Sequence, residues 1–392
     1  MKINVALAAL FLSSSVALRA QFLPAQAFRT GDNPFSVATG DFNGDGELDL
    51  VTARLSDTGR SGHLSLLAAN GHGGFFHFQS FSEKAAPECV AVGDFNQDGN
   101  LDAVTPGLAG SITVFLGDGA GGFGFPVSYR TMPDSGFVAV ADLNKDGKLD
   151  VIVAGQRADP SGNTIGILFG NGDGSFQREV TYLTGDGPDF VAVADVNGDG
   201  EADLIAANDK GATVSVLLGN GDGTFRSHVD YAATYFPQSI AVGDYNRDGK
   251  LDLAVADAGK KPTGSGKGRI SLLFGNGDGT FQGEQFVDAG AFPYDIAAAD
   301  FDGDGNLDLA LTNAEGGLGV YLGNGDGTFQ PEIDYATDLG PLGLTVADIN
   351  GDGPPDIAIA CRSAGTVDLF LNAGPQERSW PRAGKAARTG SR

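Results

Sequence analysis

Short apolar runs separated by turn residues recur along most of this chain. One stretch shows the unit: Gln238-Ser-Ile-Ala-Val-Gly243, Leu251-Asp-Leu-Ala-Val-Ala256, Gly268-Arg-Ile-Ser-Leu-Leu-Phe-Gly275 and Thr280-Phe-Gln-Gly-Glu-Gln-Phe-Val287. Each run is rich in Val, Ile, Leu and Phe, and an acidic loop lies between the first two. The turn Asn276-Gly-Asp-Gly279 lies between the last two. Runs of this length bounded by such turns predict four antiparallel strands, A to D. The same turn recurs at Asn171, Asn220 and Asn324, with looser forms at Asn70-Gly-His-Gly and Gly117-Asp-Gly-Ala. Asn-Gly and Asp-Gly tolerate the positive φ values that tight hairpins require. No segment holds a 3.6-residue period over a useful length, which excludes helical repeats.

The acidic loop, Asp-x-Asn/Asp-x-Asp-Gly-x-x-Asp, counts the units. It starts at Asp41, Asp94, Asp142, Asp195, Asp244, Asp300 and Asp348. Seven near-regular four-stranded units of about 50 residues predict an all-β, seven-bladed β-propeller. First runs rich in small residues, such as Val138-Ala-Val-Ala141 and Ile296-Ala-Ala-Ala299, suit the innermost strand, where blades crowd the axis. The last repeat supplies strands A to C and stops at Asn372-Ala-Gly374, while a strand-like run, Ala25 to Thr30, precedes the first strand A. That run is expected to complete blade 7 and close the ring, removing the edges of an open stack.

The ends of the chain read differently. Lys2, the apolar stretch Ile3 to Leu12 and the small residues up to Ala20 form an export signal, with cleavage expected after Ala20. The apolar run is too short to span a membrane comfortably, and no other segment is long enough. The domain therefore runs from 21 to 374, and a basic, strand-free tail from 375 to 392 is expected to be disordered. An exported protein, extracellular or periplasmic and monomeric, is the expectation.

Composition agrees with this picture. The chain of 392 residues has 61 Gly and 26 Phe but 2 Met, which suits short strands and tight turns. The net charge of −25 argues against nucleic acid and favours a cation partner. The two cysteines, Cys89 and Cys361, make no disulfide framework and are expected to be unpaired and buried.

The loops carry the candidate chemistry. Position 1 is Asp in all seven. Position 3 is Asn43, Asn96, Asn144, Asn197, Asn246, Asp302 and Asn350, and position 5 is Asp45, Asp98, Asp146, Asp199, Asp248, Asp304 and Asp352. Position 7, which can offer its backbone carbonyl, is Glu47, Asn100, Lys148, Glu201, Lys250, Asn306 and Pro354. Position 9 is Asp49, Asp102, Asp150, Asp203, Asp252, Asp308 and Asp356. Hard oxygen donors on a flexible loop, with Gly at position 6 for the reversal, describe calcium sites. Magnesium demands stricter geometry, and zinc would want the Cys or His that these loops lack. An EF-hand would need Glu at position 12, where this chain has Thr52, Thr105, Val153, Ala206, Val255, Leu311 and Ile359. Acidic turns without metal are the competing reading, opposed by the repulsion of carboxylates crowded into one loop. With about 1 mM calcium and a Kd of about 0.1 mM, one site stabilises by roughly 1.4 kcal/mol. Seven would add about 10 kcal/mol, so the calcium (up to seven ions) is expected to be structural.

From about 25 to 374, these repeats resemble the FG-GAP and VCBS-type repeats of bacterial secreted proteins, and more distantly the propeller of integrin α-subunits. The resemblance implies a seven-bladed propeller with Ca²⁺ held in the A–B hairpins by Asp41, Asn43, Asp45, Asp49 and their equivalents. Integrins keep only some acidic loops, whereas all seven are present here. The Gly-Ala-Pro element after strand B is absent, with only Thr105-Pro106-Gly107 in blade 2, so integrin-type ligand recognition is not implied.

Strand alternation puts the acidic loops and C–D hairpins on one face, and the B–C loops and D–A connections on the other. Length varies in the B–C loops, at Arg54 to Gly62, Gly155 to Asn163 and Asp257 to Gly268, which makes the second face the expected place for function. Phe35, Phe137, Phe190, Phe236, Phe292 and Tyr294 precede the A strands there. They either ring the channel mouth as a platform for a sugar or peptide, or pack as a plug and between blades. The basic loop Lys260-Lys261…Lys267…Arg269 either attracts an anionic polysaccharide or is simply solvated.

His63, His72 and His77 fall in blade 1 and His228 in blade 4, so no pair of histidines spans the centre. No nucleophile motif or cofactor fingerprint appears. A non-enzymatic binding or adhesion module for a carbohydrate or protein ligand is therefore favoured over a polysaccharide lyase or hydrolase. A purely structural role is the third reading.

Overall fold

The computed structural model describes residues 22–374 except 57–60, 72, 85, 108–109, 134, 156–162, 234–235 and 260–266. The export signal, the tail, Lys260, Lys261 and much of the variable B–C loops lie outside the described residues. The described residues form seven antiparallel sheets of four strands each and no helix. Blade 1 is typical: strand A is Pro34–Gly40, B is Asp49–Leu55, C is Gly62–Ala69 and D is Phe75–Glu83, paired in that order. The A strands of successive blades are neighbours around the axis. Strand B is buried throughout in blades 2 to 7, while the outer D strands of blades 2 to 4 read exposed, exposed, half-buried, exposed. Residues at period 2 thus fill the space between blades, and polarity increases outward.

Blade 7 closes as the sequence predicts. Its A, B and C strands are Pro341–Ala347, Asp356–Cys361 and Thr366–Phe370, and the fourth is the N-terminal Gln26–Arg29, which pairs antiparallel with Thr366–Phe370. Phe22 extends this clasp by bridging Asn372, and its ring meets Phe301 and Tyr335 edge-on, both at 5.5 Å between centroids. Phe28 packs on Phe75 of blade 1 at 5.1 Å. The N-terminal segment therefore joins blades 6, 7 and 1, and the ring is tied by hydrogen bonds and apolar burial together.

Strand D starts later than the apolar runs suggest. In blade 5 it is Gln285–Ala291, and Phe281 instead makes an isolated bridge to Gly275. The same Gly–Phe bridge recurs in blades 2, 3, 4 and 6. Glycine is required at the strand C end: a Cβ on Gly170 would lie 2.2 Å from the Leu149 carbonyl oxygen. Each bridged Phe then fills the gap between blades; Phe176, for example, packs on Phe95 and Tyr129.

Both cysteines are buried and unpaired, as expected. One interface holds a costly group. Glu83, 5% exposed at the end of blade 1, accepts a hydrogen bond from Thr105 Oγ1 of blade 2 at 2.9 Å, and its Oε1 has no partner. Burial raises its pKa from 4.5 to about 8, so folding takes up a proton between those values. Its contribution is favourable at and below about pH 4.5 and is lost as pH rises to about 8. Glu83→Gln is expected to flatten this part of the stability–pH profile and to raise the urea midpoint most at pH 8, measured by equilibrium unfolding across pH.

Candidate functional site: the acidic loops and the channel mouth

The seven acidic loops join strands A and B on one face, and their hydrogen bonding repeats. Position 1 anchors the turn: Asp41 Oδ2 accepts from Gly46 N–H at 2.9 Å, and Oδ1 accepts from Gly44 and Asp45 N–H. Asn43 Oδ1 accepts from Asp45 N–H, and Asp45 Oδ1 from Glu47 N–H, each at 2.9 Å. The bond from position 6 to position 1 is present in all seven loops. These amides orient the side chains, and oxygens that accept a single bond, such as Asp41 Oδ2, keep further lone-pair capacity.

Glycine at position 6 has positive φ in every loop, as its role in the reversal requires. Position 4 also adopts positive φ, and there three loops carry Gln97, Lys145 and Arg247. Each of these side chains reaches the next blade's loop. Gln97 donates to Gly147 O at 2.7 Å, Arg247 donates to Gly305 O at 2.9 Å, and Lys145 pairs with Glu201 at 2.8 Å. Backbone strain of this kind is accepted where it links neighbouring blades.

Position 9 has a second role that the pattern did not announce. Asp150 Oδ2 accepts from Leu143 N–H at 3.0 Å and Oδ1 from Gly170 N–H at 2.9 Å. Its six equivalents bracket the loop and the end of strand C in the same way. All are at most 1% exposed. Burial raises their pKa values, to about 6 for Asp102, Asp150 and Asp356 and about 7 for Asp308, against the lowering effect of the two amides. Position 12 is fully buried in strand B in all seven repeats, so it offers no ligand and no EF-hand is formed.

Blade 6 has the most concentrated donor set. The carboxylates of Asp300, Asp302 and Asp304 lie within 4.8 Å of one another, the only such trio of acidic, His or Cys groups among the described residues. Asp302 is 2% exposed, and its pKa is raised by burial and then by the charges of Asp304 and Asp300. A buried carboxylate repelled by two others fits a hard cation. The other loops carry Asn at position 3 and bring together fewer charges. In blades 3 and 5, Lys148 and Lys250 place Nζ 3.5 and 3.4 Å from Asp146 and Asp248, partly neutralising position 5.

The opposite end of the channel is built from residues that do not repeat. Five positions before each loop the chain has Ser36, Cys89, Phe137, Phe190, Ser239, Asp295 and Gly343. One position earlier it has Phe35, Glu88, Gly136, Asp189, Gln238, Tyr294 and Leu342. All but Leu342 line a cavity of about 70 Å³ at the axis, which opens into a vestibule of about 620 Å³ bordered also by Phe292, Pro293, Leu342 and Arg362. Of the aromatics expected at this mouth, Phe236 lines neither cavity; the other five do. The Phe137 and Phe190 rings lie 4.3 Å apart between centres, tilted by 40°, and the Arg362 guanidinium lies 4.3 Å from the Phe35 ring centre.

Asp295 bolts three blades together. It accepts from Ser239 Oγ at 2.6 Å, and from Ile296 and Leu344 N–H at 2.9 Å each. Burial raises its pKa and that of Tyr294, which the charges of Asp189, Glu88 and Asp295 raise further. Burial also pushes the Cys89 thiol up to about 11. Glu88, Asp189 and Asp295 fall outside the acidic-loop pattern, so the repeats do not point to them. The available signal was the break in repetition at those two positions.

A seven-bladed propeller with acidic A–B hairpins is the class this geometry defines. The profile of the FG-GAP-like repeat matches residues 94–153, 142–206, 195–255, 263–311 and 300–359, and that of the FG-GAP repeat matches 33–63. The chain belongs to the FG-GAP repeat family. No curated protein matches it. Among solved structures, it is similar to the crystal structure of BBS1N in complex with ARL6DN, soaked with mercury, at 12% identity and a TM-score of 0.61. That match covers 89% of this chain and 96% of the other, and it speaks for the fold alone.

Replacing Asp150 with Ala would strand two buried backbone amides. Leaving each unsatisfied costs about 1–3 kcal/mol, so Asp150→Ala is expected to lose roughly 2–6 kcal/mol in urea unfolding. The loss should persist in EDTA, because the bracket acts without metal. A loss seen only with calcium present would remove the bracket role.

Proposed function

We propose that this FG-GAP propeller is an exported, non-enzymatic binding module. Calcium in the A–B loops stabilises it, and a carbohydrate or protein ligand docks on the opposite face. FG-GAP propellers suit binding and adhesion, and FG-GAP repeats are typical of extracellular proteins. Among the described residues no helix is long and apolar enough to cross a membrane.

The observation that carries the reading is the contrast between the two faces. The loop hydrogen bonds recur from blade to blade on one face. The channel mouth on the other mixes Phe, Tyr, Glu, Asp, Gln and Ser with no repeat. Uniform residues answer to a shared structural demand, while variable residues on a rigid scaffold suit recognition. Positions 1, 3 and 5 would give calcium side-chain oxygens, position 7 a carbonyl and position 9 a carboxylate already fixed by amides. Blade 6 should fill first, since its three carboxylates converge and, among the described residues, pair with no lysine as Asp146 and Asp248 do with Lys148 and Lys250.

A glycan array and an extracellular-protein binding screen, run beside turnover assays on pectin and other acidic polysaccharides, test this function. Saturable binding without product formation is expected. Steady turnover of any polysaccharide would replace the binding module with the lyase or hydrolase reading.

A further inference from the structure

On the loop face, the seam between blades 1 and 2 breaks a packing pattern that the other blades keep. The residue that follows the strand C partner of loop position 10 is Leu116, Phe169, Leu218, Phe274, Leu322 and Leu371 in blades 2 to 7, and Ala68 in blade 1. In five seams this side chain lies under the last glycine of the next blade's C–D hairpin. A Cβ on Gly73, Gly174, Gly223, Gly279 or Gly327 would meet Leu371, Leu116, Phe169, Leu218 or Phe274 at 2.6–2.9 Å. At the seam of blades 6 and 7, Leu322 shares a core cluster with Phe22 instead.

The matching glycine of blade 2, Gly121, would meet nothing nearer than Asn43, at 3.5 Å. Its hairpin is nevertheless in place: Gly121 N–H donates to Phe42 O at 3.0 Å, as Gly174 N–H does to Phe95 O. The space therefore comes from the short side chain of Ala68 and not from a displaced hairpin. It forms a pocket of about 330 Å³. Leu66, Ala68, Ala69 and Ala120 give it an apolar lining, and Asp45 and Gln79 add polar groups. Ala120 stands where other hairpins have Asp173, Asp222, Asp278 and Asp326, which makes this wall less polar than its counterparts. Strands C and D of blade 1 stay paired as far as Ala69, so the wall is a continuous sheet.

We infer that this pocket takes an aliphatic or phenyl side chain of a peptide segment, the same Leu or Phe knob that six blades supply from their own chain. A pocket with apolar walls lacks the dispersion contacts and the transfer energy that such a side chain brings. Its volume suits one anchoring side chain, and a side chain buried in a preformed pocket is the form that interface anchors take. A sugar would set hydroxyls against Leu66 and Ala68, and a polar group buried without a partner is costly. The rest of the pocket sets the flank. Asp45 and a chain of net charge −25 favour a cationic neighbour to the knob, and the Gln79 amide can both donate to and accept from peptide backbone. The pocket is on the loop face, so it stands or falls separately from the ligand proposed for the opposite face.

Three capped tripeptide amides, Arg-Leu-Arg, Arg-Phe-Arg and Arg-Ala-Arg, titrated into the full mature chain in saturating calcium and followed by saturation-transfer NMR, test the inference. The Leu and Phe peptides should bind one saturable site roughly tenfold more tightly than the Ala peptide, which reports attraction by charge alone. Ala68→Leu should abolish that preference and raise the thermal midpoint, since it restores the residue type of the other blades. Should Ala68→Leu fold poorly, Ala68→Val, which adds less volume, should still weaken the Leu peptide several-fold. Absence of binding, equal binding of all three peptides, or a preference that survives these substitutions would overturn the inference. So would binding of cellobiose that Ala68→Leu removes, since the pocket would then belong to a sugar.

Discussion

The constraint on which this fold depends is the buried aspartate at the ninth position of each loop. Its two oxygens hold an amide at the start of the acidic loop and an amide at the end of strand C. A carboxylate buried without partners would cost several kcal/mol, so its presence commits both backbone segments to meet it. Each blade thereby fixes loop, strand B and strand C as one unit. The residue at position 2 of the loop then packs onto the next blade: Phe42 meets Phe123 and Tyr245 meets Phe329. The carbonyls at that position also accept from the following C–D hairpin, as Gly174 N–H does to Phe95 O at 3.0 Å. Local acidic turns are thus coupled to the assembly of the ring.

This arrangement separates two roles by face. The loop face is under the same demand seven times, and its residues agree. At the mouth, each blade contributes one or two residues to a single central cavity, and agreement would give a symmetric ring of identical groups. Asp295 shows how the irregular face is kept rigid: one side chain holds blades 5, 6 and 7 while bordering the cavity.

Much of the fold was legible because its signals repeat. Seven loops gave seven blades, and the missing fourth strand of the last repeat pointed to the segment that became Gln26–Arg29. The start of strand D was misplaced because an apolar Phe reads as strand, while Phe281 and its counterparts are spacers between blades joined by a single bridge. Left-handed backbone was expected at the position 6 glycines, but Gln97, Lys145 and Arg247 adopt it too, held by contacts to the next blade that no local pattern encodes. The bracket role of position 9 was hidden because one Asp can serve as ligand and as structural acceptor. The mouth was least legible. Its acids, Glu88, Asp189 and Asp295, lie roughly 100 to 200 residues apart in sequence and meet only once the ring has closed.

Calcium as the structural partner of the loops is the central claim. Its most direct test is the thermal midpoint of the mature protein by scanning calorimetry, in about 2 mM calcium and after exhaustive exchange into EDTA. Several sites, each adding on the order of 1 kcal/mol, should lower the midpoint by roughly 10 °C when calcium is removed, and readdition should restore it. A midpoint indifferent to EDTA would contradict the account and leave the acidic loops as self-bonded turns.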